Sequence, residues 1–132
     1  MITAVDSSVL IDVLTDDARY AGVSESALRK ARREGSTIVC GAALAEVVPV
    51  LEEGVVDRFL KEWELVFVPA SRESSLLAGS HFYQYLRRGG KRGRVLADFL
   101  IGAHAQFFAQ RLLTRDRGYY RDYFKSLAVW EP

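Results

Sequence analysis

Four acids sit where apolar or small residues would be expected: Asp6, Glu46, Asp98 and Asp116. Asp6 follows the apolar run Ile2-Thr3-Ala4-Val5, and Asp116 closes Leu112-Leu113-Thr114-Arg115. Glu46 lies among Leu44, Val47, Val48 and Leu51. Asp98 shares a helical stripe with Ile101, Gly102 and Ala105, so it heads an apolar face. Brought together, four carboxylates repel one another by several kcal/mol unless protons or cations offset the charge. All-oxygen ligands suit Mg²⁺ or Mn²⁺, whereas zinc prefers histidine and cysteine. Such a centre polarises a phosphodiester and activates a water for its hydrolysis.

Each acid also has a plainer reading. Asp6 could cap the helix that begins at Ser7-Ser8, and Glu46 could snorkel from a half-polar helix. Asp98 is an acid near a helix N-terminus, which the macrodipole favours, although an outward-facing residue would satisfy the dipole equally. Asp116 could pair with Arg115 or Arg117, or cap the helix beyond, and Thr114 shares its face of an extended chain. Asp12 and Asp122 read as solvated or capping residues, and His81 and His104 as core or surface residues rather than ligands.

The elements that must carry these acids alternate. Apolar runs at Met1–Val5, Thr37–Cys40, Leu65–Val68 and Leu112–Leu113, with a last edge strand at Leu127–Val129, read as strands buried in a sheet. Helical patterns fill the intervals: one through Val9, Leu10, Val13 and Leu14; Ser24–Glu34, ended by Gly35; Gly41 to near Pro49; and Val55–Trp63. They continue with Ser71–Arg88, whose apolar positions include Leu76, Leu77, Phe82, Tyr83 and Leu86, then Val95–Arg111 and Gly118–Phe124. Strands separated by helices pair in parallel through right-handed crossovers. The expected fold is therefore α/β: a three-layer α/β/α sandwich on a mainly parallel sheet of four to five strands. In such sheets ligands bind beyond the carboxyl ends of the strands, which is where Asp6 and Asp116 fall.

Bulk properties agree with one domain over residues 1–132, with 49% apolar and 27% charged residues. A net charge of +1 makes any affinity for nucleic acid a local matter. The segment Arg87-Arg88-Gly89-Gly90-Lys91-Arg92-Gly93-Arg94 is the one composition break, a basic surface loop. Its Arg87, Arg88, Lys91, Arg92 and Arg94 could neutralise RNA phosphates or simply be solvated. The cluster Arg29, Lys30, Arg32 and Arg33 reads as a solvated helix face. The single cysteine, Cys40, excludes an internal disulfide, ends an apolar run and reads as a buried structural thiol in a reducing compartment. Asp6 interrupts the first apolar run too early for an ordinary signal peptide, and the Val95 helix is too polar for a membrane span, so a cytoplasmic location is expected.

The opening MITAVDSSVLIDVL, the mid-chain Glu46, the segment ADFLIGAHA and the final LLTRDRGYYRDYF resemble, in order and spacing, the motifs of PIN-domain nucleases. The resemblance spans essentially the whole chain and is strongest to the VapC-like toxins of VapBC toxin–antitoxin pairs. It implies metal-binding acids at Asp6, Glu46, Asp98 and Asp116, with Ser8 and Thr114 as supporting polar residues. It further implies Mg²⁺- or Mn²⁺-dependent endoribonuclease activity, homodimerisation, and inhibition by a cognate antitoxin laid across the acidic groove. Two other classes stay in view. One is a phosphoryl-transfer or phosphatase domain with Asp6 as nucleophile, although Ser8 stands where that chemistry usually places a second acid. The other is a non-catalytic binding module of the same fold.

Overall fold

The computed structural model describes residues 1–93, 95–116 and 118–132. Among these, five strands and seven helices alternate: β1 (Ile2–Val5), α1 (Ser7–Leu14), α2 (Ala21–Glu34), β2 (Ser36–Val39), α3 (Gly41–Val47) and α4 (Glu53–Glu62). They continue with β3 (Leu65–Phe67), α5 (Arg72–Arg87), α6 (Leu96–Phe108), β4 (Arg111–Leu113), α7 (Gly118–Tyr123) and β5 (Ala128–Trp130). Every strand pairing is parallel, in the order β3-β2-β1-β4-β5. The α/β expectation holds, with the sheet parallel throughout and the full five strands present.

That strand order changes direction at β1. The chain first walks outward through β2 and β3, then returns to place β4 on the other side of β1 and β5 beyond it. With right-handed crossovers, the two walks put helices on opposite faces of the sheet, which gives the three layers. The switch point lies between β1 and β4, and the crevice beyond their carboxyl ends is where an open sheet of this kind binds ligands. Val5 pairs with Leu113 there, and the Asp6 amide donates to the Leu113 carbonyl at 2.9 Å. The two chain ends that carry Asp6 and Thr114–Asp116 are thereby tied together.

Central position explains composition. Thr3, Ala4 and Val5 of β1 are buried, as are Leu112 and Leu113 of β4, so an uninterrupted apolar run suits both. The edge strand β3 buries Leu65 and leaves Val66 and Phe67 half exposed. Helix α5 starts at a reciprocal capping box in which the Ser71 hydroxyl accepts from the Ser74 amide and the Ser74 hydroxyl from the Ser71 amide, both at 3.0 Å. It packs along α6 through Ala78, with Phe82 and Tyr85 against Phe99. Leu76 and Tyr83, read from the sequence as apolar positions of this helix, are 57% and 60% exposed. They lie on the side of α5 turned away from α6. Among the described residues no helix is long and apolar enough to cross a membrane.

Two glycines are required by close approach. At Gly35, between α2 and β2, a β-carbon would overlap the Met1 carbonyl. At Gly102, on the stripe headed by Asp98, a β-carbon would lie 2.5 Å from the Phe124 ring. This second contact lets α6 and the segment after α7 close on one another.

Candidate active site

Asp6 occupies the N-cap position of α1, with extended backbone (φ −76°, ψ 154°), yet its side chain makes no capping bond. The carboxylate turns instead into the switch-point crevice and is only 3% exposed. Its Oδ2 accepts from the Ser8 hydroxyl at 2.7 Å and from the Thr114 hydroxyl at 2.7 Å. Its Oδ1 accepts from the Tyr120 hydroxyl at 3.2 Å. Three donors from α1, from the end of β4 and from α7 therefore fix one carboxylate. Of its plain reading as a cap, the backbone position is occupied while the capping bond is absent.

Thr114 is fully buried and binds in two directions. Its oxygen accepts from the Asp116 amide at 3.0 Å and lies 2.9 Å from the Asp116 carbonyl. With one proton to give, the hydroxyl serves the charged and nearer acceptor on Asp6. This turn sets Asp116 beside Asp6, exposed to solvent, with Oδ1 accepting from the Gly118 amide at 3.3 Å. Glu46 arrives from α3, partly buried, its Oε1 accepting from the Ser7 hydroxyl at 2.8 Å.

Asp98, in the first turn of α6, feels all of them. Burial pushes its carboxyl up to about 7, and the charges of Asp6, Asp116 and Glu46 push in the same direction. The nearby Tyr120 hydroxyl acts in the opposite direction. The charges of Asp6, Glu46 and Asp116 thus all reach Asp98. Tyr120 is itself 1% exposed, and burial beside Asp6 and Asp98 raises its hydroxyl far above the ordinary range, so it remains a donor.

The donor set is all oxygen, which fits Mg²⁺ or Mn²⁺ by ligand chemistry. Among the described residues, no group of three or more histidine, cysteine, aspartate or glutamate side chains stands ready to hold an ion.

Several neighbours were not anticipated. Tyr120, read only as part of a short helix, donates to Asp6, and Ser7 orients Glu46. Asp12 was expected as a solvated or capping residue and is 1% exposed. Its signal was present in the sequence: it interrupts the apolar helix Val9–Leu14 much as Asp98 interrupts α6. Asp122 is exposed, as expected. His104 is a core residue whose Nε2 donates to the Val68 carbonyl at 2.7 Å. Cys40 is buried, and burial pushes its thiol up.

The basic loop follows α5. Arg87, Arg88, Lys91 and Arg92 are exposed. The Arg88 guanidinium lies 5.3 Å above the Tyr123 ring, and the Tyr85 hydroxyl donates to the Lys91 carbonyl at 3.2 Å. The loop is thereby held against α7, the helix that supplies Tyr120. Arg94, the fifth cation expected there, lies outside the described residues, as does Arg117. In the other basic cluster Arg29 pairs with Glu25, Lys30 with Glu34 and Arg32 with Glu64, as a solvated ion-paired face would.

Comparison with known proteins gives a consistent picture. The family model described as PIN domain matches residues 3–125. No curated protein matches the chain. Among solved structures, a chain of VapBC2 from Rickettsia felis bound to a promoter DNA fragment is similar at a TM-score of 0.76 and 17% identity, covering 100% of this chain and 99% of that one. A chain of VapBC-1 from nontypeable Haemophilus influenzae is similar at 0.72 and 15%, covering 99% and 98%. A chain of FitAcB from Neisseria gonorrhoeae is similar at 0.67 and 18%, covering 98% and 96%.

Proposed function

Because the chain belongs to the PIN-domain family, we propose that its four-carboxylate crevice is a divalent-metal endoribonuclease site and that the protein is the toxin of a toxin–antitoxin pair. The observation that carries the proposal is Asp6, 3% exposed at the switch point and held there by the Ser8, Thr114 and Tyr120 hydroxyls, with the charges of Asp6, Glu46 and Asp116 all felt at Asp98. Asp6, Glu46, Asp98 and Asp116 are the ligands in this reading. Ser8, Thr114 and Tyr120 orient Asp6, and Ser7 orients Glu46. A bound Mg²⁺ or Mn²⁺ would polarise the phosphodiester and supply an activated water.

RNA has to approach a negative site, and the exposed Arg87, Arg88, Lys91 and Arg92 beside α7 offer charges for its phosphates. A cognate antitoxin and a homodimer complete the proposal. The likeness in fold to chains of VapBC and FitAcB complexes supports the antitoxin. The phosphatase reading gains nothing from the geometry: Ser8, at the place of a second acid, donates its hydroxyl to Asp6.

The test is cleavage of labelled RNA by the purified protein with Mg²⁺ or Mn²⁺, against an EDTA control and the variants Asp98→Asn and Asp6→Asn. Cleavage that requires the metal and both acids is the expected result. Undiminished cleavage by both variants overturns the mechanism.

A further inference from the structure

Arg115 stands between Thr114 and Asp116, yet its side chain points away from the crevice. Its Nε donates to Asp12 Oδ2 at 2.6 Å and its Nη2 to Asp12 Oδ1 at 2.9 Å. The guanidinium lies 4.0 Å above the Tyr20 ring. Asp12 Oδ2 also accepts from the Ser24 hydroxyl at 2.8 Å, and Ser24 is fully buried. At its other end Arg115 donates its amide to the Ser8 hydroxyl at 3.1 Å, the hydroxyl that donates onward to Asp6. Helix α1, braced by Ser24 of α2, thus holds one residue of the turn by both its side chain and its amide.

We propose that the Asp12–Arg115 pair is a positioning device, which holds the 114–116 turn so that Thr114 and Asp116 address Asp6. The inference rests on the metal-site reading above. Stability alone does not account for the pair. Apolar residues of similar volume are often as stabilising as a buried ion pair, because two charges must be stripped of water. What a forked guanidinium on a carboxylate adds is direction, through two parallel bonds. The grip has a second consequence. A guanidinium freed from Asp12, one residue from Asp116, would compete with a divalent cation for the carboxylates. Asp12 and Arg115 are positioning residues here: they act through Thr114 and Asp116.

The experiment compares wild type with Asp12→Asn, Arg115→Lys and Ser24→Ala by three readouts. These are amide exchange of the metal-free protein, Mn²⁺ binding by calorimetry, and RNA cleavage over a Mn²⁺ titration. Amides of Arg115 and Asp116 are expected to exchange about tenfold faster in Asp12→Asn while the sheet amides of Val39 and Leu112 keep their rates. The Mn²⁺ dissociation constant should rise by about 10- to 100-fold, the usual effect of losing a partner that orients a ligand. Cleavage should recover when Mn²⁺ is raised in proportion. Arg115→Lys keeps the charge but loses the fork; it should behave likewise and carries the test if Asp12→Asn does not fold. Ser24→Ala should shift both readouts less. Unchanged turn amides and Mn²⁺ affinity overturn the proposal even if wild type cleaves RNA. So does acceleration of the sheet amides to the same degree, which would make the pair a general stabiliser. If the variants lose Mn²⁺ affinity but wild type cleaves no RNA, the positioning role stands and the ribonuclease reading falls. A wild type that binds no Mn²⁺ overturns both.

Discussion

Replacing Asp98 with asparagine should make the metal-free protein more stable above neutral pH. A carboxyl raised from 3.8 to about 7 holds its proton more tightly in the folded chain than in the unfolded one. Between those values the native state binds more protons, so stability falls as pH rises and levels off above about 7. A rise of that size corresponds to roughly 4 kcal/mol. Asp98 is only partly buried, and water screening brings the expected penalty down to about 2 kcal/mol. Asparagine keeps the shape and cannot ionise. In EDTA at pH 8, Asp98→Asn should therefore unfold about 6–10 °C higher than wild type, and at pH 4 the two should coincide. The assay is thermal or urea unfolding of both proteins from pH 4 to 8, read as a difference so that other titrating groups cancel. Manganese at a hundred times its dissociation constant should then stabilise wild type by about 2.7 kcal/mol and the variant far less. An Asp98→Asn protein no more stable than wild type at pH 8 in EDTA would refute the reasoning, since it would mean that neither burial nor the neighbouring carboxylates oppose a charge on Asp98.

Gly102→Ala drives a methyl into the Phe124 ring and should cost about 1–3 kcal/mol in urea unfolding. Thr114→Val removes the donor to Asp6 Oδ2 and should destabilise by about 1–3 kcal/mol while weakening Mn²⁺ binding, measured by calorimetry. Burial lowers His81 and His104, so their neutral forms are native; their contribution is present above 6.5 and lost as pH falls through the depressed folded values. His104→Gln should accordingly flatten the loss of stability on the acid side in a pH series of unfolding curves. Cys40 is buried with its thiol pushed up, and an aromatic disulfide reagent should label it only as fast as the protein opens.

Much of the scaffold was readable because local rules and tertiary outcome agree. Apolar runs such as Ile2–Val5 and Leu112–Leu113 are strands buried on both faces, and the alternation of strands with helices left little but a parallel sheet. Helix faces were less legible. Leu76 and Tyr83 satisfy an apolar pattern on α5 and still face outward, because α6 covers the side defined by Ala78, Phe82 and Tyr85 instead. A pattern states which residues could be covered; only the neighbour decides which are. Asp12 shows the same limit for a polar group. The sequence shows only that it interrupts an apolar helix, and its partner Arg115 is 103 residues away.

By itself, then, the sequence determined the element types and put forward the four acids, since each stands where an apolar or capping residue would otherwise suffice. It also set their order and the helix spacing between Asp98 and Asp116. Only the tertiary structure decided how they are held. The reversal of strand order at β1 brings the ends of β1 and β4 side by side. That contact lets Ser8, from the start of the chain, meet Thr114 and Tyr120, from its end, on one carboxylate. Hydrogen bonds and like-charge repulsion act over a few ångströms of space, whatever the separation along the chain.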